Sequence, residues 1–353
     1  MRTPLACVVT LLASAALVAG EGVGKAAPAT ELGQLAASMK PGELKELKTR
    51  NYDWELLKSY YDWEENLRGA HKGYSIISWS NDANWDPVTR QLLYFGLGHY
   101  ASPKFVIYFA DTNEWKLMPI PPWADKRRPE VKAWPVGHTY DIEGICPAKR
   151  WFAVKWNALH LYGIDKGEWS AVPGFGTKGS IDQMEYFPEL NGFVYGEGWG
   201  KKLMLYDVDT GEKRKLADVA VAMHGVMEYD PVHKVLILGG GDAGDKPAQD
   251  LYLLDREGKL TKLKPPPVWM RCTPECKVTC DPVSGDYLMK GRGHEDFYAF
   301  HPLKDEWKEL PPALRVPDGL AAQVSTYGVV MFCGSGRSPR VLVYKHKTPW
   351  QQE

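Results

Sequence analysis

The chain lacks an excess of either charge: 43 Lys and Arg stand against 44 Asp and Glu in 353 residues, a formal net charge of −1. So balanced a chain has little attraction for a phosphate backbone, and no nucleic acid partner is expected. Apolar runs of bilayer length are also missing. The longest, Leu5 to Val18, has 14 residues, where a spanning helix needs about 20. There is no phosphate-cradling loop, nucleophile elbow or His-Glu-x-x-His pair, so nucleotide, α/β-hydrolase and zinc-protease chemistry have no foothold. GLGHY and GEGWG are Gly-rich, but each follows a strand-like run with no helix after it.

Arg2 precedes the apolar run, which ends on the small residues Ala19 and Gly20. Residues 1–20 read as a secretory signal peptide, so the chain is expected to be secreted or periplasmic, with no membrane attachment after cleavage. Residues 21–48 are expected to be a leader with room for a short helix, since ELKELK follows Pro41. Export exposes thiols to oxidation. Cys146, Cys272, Cys276, Cys280 and Cys333 remain beyond the signal peptide, an odd number that cannot pair completely within one chain. One disulfide, buried free thiols and a metal on the Cys272, Cys276, Cys280 trio all stay open. The trio has no fourth ligand beside it in sequence.

What the chain does have is 34 Gly, 26 Pro, 14 Trp and 18 Tyr, a composition for short strands joined by many turns. One block, a turn and then an apolar strand, recurs as WDPVTRQLLYFG (85–96), CPAKRWFAV (146–154), FPELNGFVYG (187–196), YDPVHKVLILGG (229–240) and CDPVSGDYLMKG (280–291). STYGVVMFCG (325–334) is a sixth, degenerate copy. A second block follows each of the first five, an apolar strand and a polar turn leading to Trp115, Trp169, Lys213, Leu260 and Trp307. These positions lie 54, 44, 47 and 47 residues apart, the period of a four-stranded propeller blade.

Over roughly Gly73 to Lys345 the blocks resemble kelch-type β-propeller repeats. The features that carry the resemblance are Gly239-Gly240 after a second strand, Tyr108, Tyr162, Tyr206, Tyr252 and Tyr298 on third strands, and Trp115, Trp169 and Trp307 on fourth strands. The fold expected is all-β, one six-bladed propeller over residues 49–353. The sixth copy stops after its third strand, which would leave open sheet edges. Thr49 to Leu57 (TRNYDWELL) looks like the fourth-strand blocks, so Trp54 and its neighbours are expected to complete the last blade. A helix or irregular cap over 43–68 is the alternative. The chain also loosely resembles the galactose oxidase propeller, but no block matches that copper site.

In kelch geometry the segments leading into the first strands share a face with the loops between second and third strands. Four histidines fall on that face: His99, His138, His224 and His294. Asp141, Glu143, Trp199, Asp242, Arg271 and Arg292 join His99, His224 and His294 as expected ligand-binding residues. Candidates for catalysis are His99, His138, Tyr140, His224, Arg271, Arg292 and His294. The recurring acids of the first strands, including Asp141, Glu143, Glu185 and Glu228, would ring the channel. They would either hydrogen-bond backbone amides across it or hold a cation. No cofactor and no metal ligand set is otherwise expected.

Such a face suits a polar ligand, expected to be a glycan, or a partner protein: aromatic rings stack on sugars while Asp and Arg hold hydroxyls and carboxylates. The alternative is a polysaccharide lyase acting on uronate-containing glycans. Exported propellers similar in architecture include such enzymes. Arg271 or Arg292 would neutralise the uronate, and a His or Tyr140 would exchange protons. Ligand identity and oligomeric state are not written in the sequence.

Overall fold

The computed structural model describes residues 30–64, 71–98, 101–129, 131, 138–173, 175, 183–197, 201–219, 222–243, 246–293, 295–311 and 314–350. Its strands form six antiparallel four-stranded sheets, the blades of a β-propeller. From inside to outside, blade 1 is Asn84–Asp86, Gln91–Gly96, Lys104–Phe109 and Glu114–Leu117. Blade 2 is Glu143–Cys146, Trp151–Lys155, Leu159–Gly163 and Glu168–Ala171. Met184–Phe187, Val226–Asp230, Lys277–Cys280 and Gly319–Val324 open blades 3 to 6. Among the described residues no helix is long and apolar enough to cross a membrane.

The turns explain the repeat. After the first strand of each blade the chain reverses through a tight turn ending on a left-handed residue: Arg90, Arg150, Asn191, Lys234, Gly285 and Gly328. Asp86, Asp230 and Asp281 cap three of these turns, their carboxylates accepting N–H groups of Thr89 at 3.0 Å, Val232 at 2.8 Å and Ser284 at 2.8 Å. His233 is partly buried against Asp230, with its Nδ1 2.6 Å from that carboxylate. On the outer strands aromatic pairs face each other across the ladder: Tyr108 opposite Trp115, Tyr162 opposite Trp169 and Phe300 opposite Trp307. Tyr252 and Tyr298 sit two residues before the matching position, which Leu254 and Phe300 occupy.

The ring is closed by the amino-terminal part of the chain, but not by the segment expected. Leu44–Leu47 is the fourth strand of blade 6, with Leu44 opposite Tyr344 and Leu47 opposite Val341. Glu31–Ser38 precedes it as a helix whose Thr30 cap accepts the Gly33 N–H at 3.0 Å. Trp54 is not on the closing strand. Trp54–Leu57 is a single helical turn, capped by Asp53, which accepts the Leu56 N–H at 3.0 Å. Between the two, Arg50 pairs with Glu114 on the outer strand of blade 1, so the leader clasps the last blade to the first.

Backbone hydrogen bonds link the inner segments around the axis. Tyr140 N–H reaches Trp79 O, Met184 reaches Asp141, Cys272 reaches His224, Gly319 reaches Pro274 and Ala321 reaches Asn81, all within 2.7–2.9 Å. These bonds fix the height of each inner segment against its neighbour, and so position the residues at the channel mouth. All five described cysteines are free and buried. Among the described residues no group of His, Cys, Asp and Glu is arranged to hold a metal ion, the thiol trio included.

Candidate functional site

The segments leading into blades 1, 2, 4 and 5 bring Trp79, His138, Tyr140, His224, Trp269 and Arg271 together. Trp79 is the wall they share. Its ring stacks on His138, with centroids 4.1 Å apart, and on His224 at 5.3 Å. Tyr140 lies 5.1 Å from His224, ring to ring. Arg271 lies over Trp79 and Trp269, its guanidinium carbon 5.7 and 5.2 Å from their rings. Arg292 covers Trp269 at 5.6 Å and is exposed.

Two hydrogen-bonded pairs organise the polar groups. His138 Nδ1 is 2.6 Å from the Tyr140 hydroxyl. Burial raises the Tyr140 phenol far above its ordinary value, the Cys272 thiol and Asp242 add to the rise, and Arg271 opposes it. Tyr140 is therefore a neutral donor and His138 Nδ1 the acceptor. The second pair is His224 Nδ1 with Asp242 Oδ2, at 2.6 Å. Arg271 Nη2 donates to the same Oδ2 at 2.8 Å. The guanidinium has only donors, so its 3.1 Å approach to His224 Nδ1 is no hydrogen bond once that nitrogen carries the proton given to Asp242. This tautomer leaves His224 Nε2 as the lone-pair nitrogen. Burial holds the His224 imidazole below its ordinary value, Asp242 pulls the other way and Arg271 lowers it, so the ring is a neutral base at pH 7.

The backbone is strained where the rings are presented. Tyr140 has φ 57° and His224 φ 62°, values costly for side chains of this bulk. Asp242 is delivered by the turn Gly240-Gly241, where φ is 67° and 88°. A Cβ at Gly241 would come within 2.3 Å of the Met223 carbonyl, so only glycine permits the turn.

Of the expected site residues, His138, Tyr140, His224, Asp242 and Arg271 converge, and Arg292 joins them through Trp269. His99, Trp199 and His294 lie outside the described residues. Trp79 and Trp269 form the walls. Trp79 stood in the sequence among the residues leading into a first strand, but nothing in its local pattern set it apart from core tryptophans. Trp269, in PPPVWMRC, carried no such signal at all.

Asp141 and Glu143 are buried in the channel, where Asp141 bonds to Asp82 and its charge acts on Glu143 and Glu185. Glu143 accepts the Phe95 N–H at 3.0 Å, Asp141 the Met227 N–H at 2.5 Å and Glu228 the Cys280 N–H at 3.1 Å. The Asp141 bond runs from blade 2 to blade 4, while the other two join neighbouring blades. Burial first, and then neighbouring carboxylates, raise Asp141, Glu143, Glu185 and Glu228 well above the carboxylate range. Asp82 is pushed up to about 7 by burial. A carboxyl raised in the folded state contributes stability that is full below its unfolded value and lost as pH rises through its folded one. Unfolding free energy measured in urea should therefore fall as pH rises from 5 to about 7. A rise across that window would mean that the channel carboxyls are ionised and compensated.

No protein-family model matches the chain, and no curated protein does. Solved structures do. A chain in the crystal structure of a nidogen/laminin complex aligns with TM-score 0.47 and 10% identity, over 72% of this chain and 91% of that one. TolB from Acinetobacter baumannii aligns with TM-score 0.42 and 11% identity, over 75% of this chain and 54% of TolB.

Proposed function

We propose that the channel mouth is the binding site of an exported kelch-like propeller, and that its ligand is a hydroxyl-rich glycan carrying acidic groups. The observation that carries this reading is the convergence of Trp79, His138, Tyr140, His224 and the Asp242–Arg271 pair from segments of four blades. Stacking surface and directional polar groups in one place are what sugar recognition requires. Arg271 is already bonded to Asp242, so its charge is matched inside the protein. Arg292 is the exposed cation beside it and is the better receiver of a ligand carboxylate. The test is calorimetric titration with acidic and neutral oligosaccharides. Arg292→Ala should weaken an acidic ligand about tenfold, the worth of one charge-assisted hydrogen bond, and leave a neutral one unchanged. Equal affinity of wild type and variant for every acidic ligand would remove the reading.

A second reading, cleavage of uronate glycans by elimination, draws on the Tyr140–His138 pair and on His224 with its lone pair on Nε2. One group of such a pair removes the proton at C5 and another protonates the leaving oxygen at C4. Ultraviolet absorbance of an unsaturated product, followed on alginate, pectin and ulvan, tests it. A flat trace on all three leaves binding alone.

A further inference from the structure

The opposite end of the channel presents the tight turns that follow the first strands. Two residues before the left-handed position of these turns stand Val88 in blade 1, Val232 in blade 4 and Val283 in blade 5, which are 60%, 43% and 67% exposed. Blades 2, 3 and 6 hold Ala148, Glu189 and Thr326 at the same step, so the turn itself does not ask for an aliphatic side chain. The turns between third and fourth strands carry one more exception. Asp111, Asp165, Asp209 and Arg256 are charged at the matching step of blades 1 to 4, whereas blade 5 has Leu303, 61% exposed. Eight large apolar side chains are exposed among the described residues, and four of them stand on this one face.

Three of the four belong to turns that touch. The rings of His233 and His301, from blades 4 and 5, lie 5.1 Å apart. Gly285 packs so closely on His233 that a Cβ there would come within 2.4 Å of its Nδ1. Val232, Val283 and Leu303 thus stand on adjoining turns, and a monomer gains nothing by holding them in water. The charges around the mouth are largely matched within the chain: Arg90 holds Asp111, Lys149 holds Asp209, and Arg150 holds Asp86 and Asp165. The exposed charges left over, among them Lys40, Lys166, Glu212 and Lys234, are of both signs. Such a face offers little to a strongly acidic or basic partner, and it does not repel its own copy.

We infer that this face joins two copies of the chain about a twofold axis over the boundary of blades 4 and 5. A twofold laid across the face reverses the order of the blades. It therefore sets blade 4 on blade 5, blade 1 on blade 2 and blade 3 on blade 6 of the second copy. All three sectors then match. Val232 meets Val283 and Leu303, and Val88 meets Ala148. Glu212, on the outer turn of blade 3, meets the Lys40 side of blade 6, where the chain enters its closing strand. The other two boundary axes would set Val232 on Glu189 or Val283 on Thr326. A stable interface needs about 800 Å² from each partner, more than three aliphatic side chains supply, so the whole face takes part. The apolar patch is its centre and the exposed charges are its rim.

The experiment is sedimentation equilibrium of the full chain at concentrations up to about 100 μM, where the mass should rise to twice that of the monomer. Val283→Lys/Leu303→Lys places four ammonium groups at the centre of the dimer and should weaken association about tenfold or more. Its circular dichroism melt at low concentration should match the wild type, because these side chains are in solvent in the monomer, and that match shows that the variant folds. Val232→Glu alone should also weaken association. A mixture of the Val232→Glu chain with the Val283→Lys/Leu303→Lys chain should associate more tightly than either variant does with itself, since blade 4 of one copy lies on blade 5 of the other. A wild type that stays monomeric, a dimer indifferent to the lysines, or a mixture no tighter than its components would each overturn the inference. Arg292→Ala, at the other end of the channel, should dimerise as the wild type does, so the glycan reading and this one fail separately.

Discussion

A chain that begins at Thr49 should fail to fold as a soluble monomer. Truncation there removes Glu31–Ser38 and Leu44–Leu47. Leu32 is 0% exposed, Met39 4% and Leu47 5%, and each is part of the cluster between blades 6 and 1. Burying a side chain of this size contributes about 1.5–3 kcal/mol. Three of them are worth about 5–9 kcal/mol, comparable with the whole stability of a typical domain. The loss also bares the Val341–Tyr344 edge, whose four residues are all buried in the intact chain. An uncovered apolar edge recruits other chains. Size-exclusion chromatography and circular dichroism of the truncated and full chains check this. A monomeric 49–353 chain with native melting would show that Thr49–Leu57 can take the closing position after all.

That position is also where sequence pattern and structure part company. The need for closure was legible, because a ring of strands leaves two edges unless one end of the chain supplies a strand. Which segment supplies it was not. DWELL looks like the NEWKLM block in its spacing of acid, Trp and Leu, yet Asp53 before Trp54 is also a helix cap, and the local capping bond wins. ELKEL carries the composition of a helix. It forms a strand because the Val341–Tyr344 edge offers it a complete ladder, and tertiary pairing outweighs propensity over four residues. Its charged Lys45 and Glu46 suit an outermost strand, where they discourage further pairing.

The blades were legible for a firmer reason. Each turn needs a residue that tolerates positive φ, and each ladder needs apolar residues in register, so the requirement repeats with the geometry. The site carries no such repetition. Trp79, Trp269 and Asp242 occur once each, and what unites them is the inward convergence of four segments distant in sequence. Sorting loops by face was enough to gather His138, Tyr140, His224, Asp242 and Arg271. It was not enough to separate a wall tryptophan from a packing one, because both are apolar neighbours of a strand. Nor did it reveal that Arg271 is bonded inside the protein while Arg292 is exposed, a distinction set by Asp242 from another blade.

Asp242→Ala should be the most damaging single change at the channel mouth. Arg271 is 6% exposed and His224 9%, and one oxygen of Asp242 serves both. Removing the carboxylate leaves a guanidinium in a nearly dry site with no counter-charge, which costs about 3–5 kcal/mol for a buried pair broken on one side. It also frees the His224 tautomer. With Asp242 gone, burial and Arg271 both act to lower the imidazole further, so the ring stays neutral but no longer presents Nε2 in a fixed direction. Asp242→Asn keeps an acceptor for Arg271 without the charge and should cost less. The double variant Asp242→Ala/Arg271→Ala removes both charges and should be more stable than Asp242→Ala alone. Urea unfolding of the wild type, Asp242→Ala, Arg271→Ala and the double variant closes the cycle. If the two single losses simply add in the double variant, the Arg271–Asp242 contact contributes nothing, and the channel mouth is held by its backbone bonds and aromatic stacking.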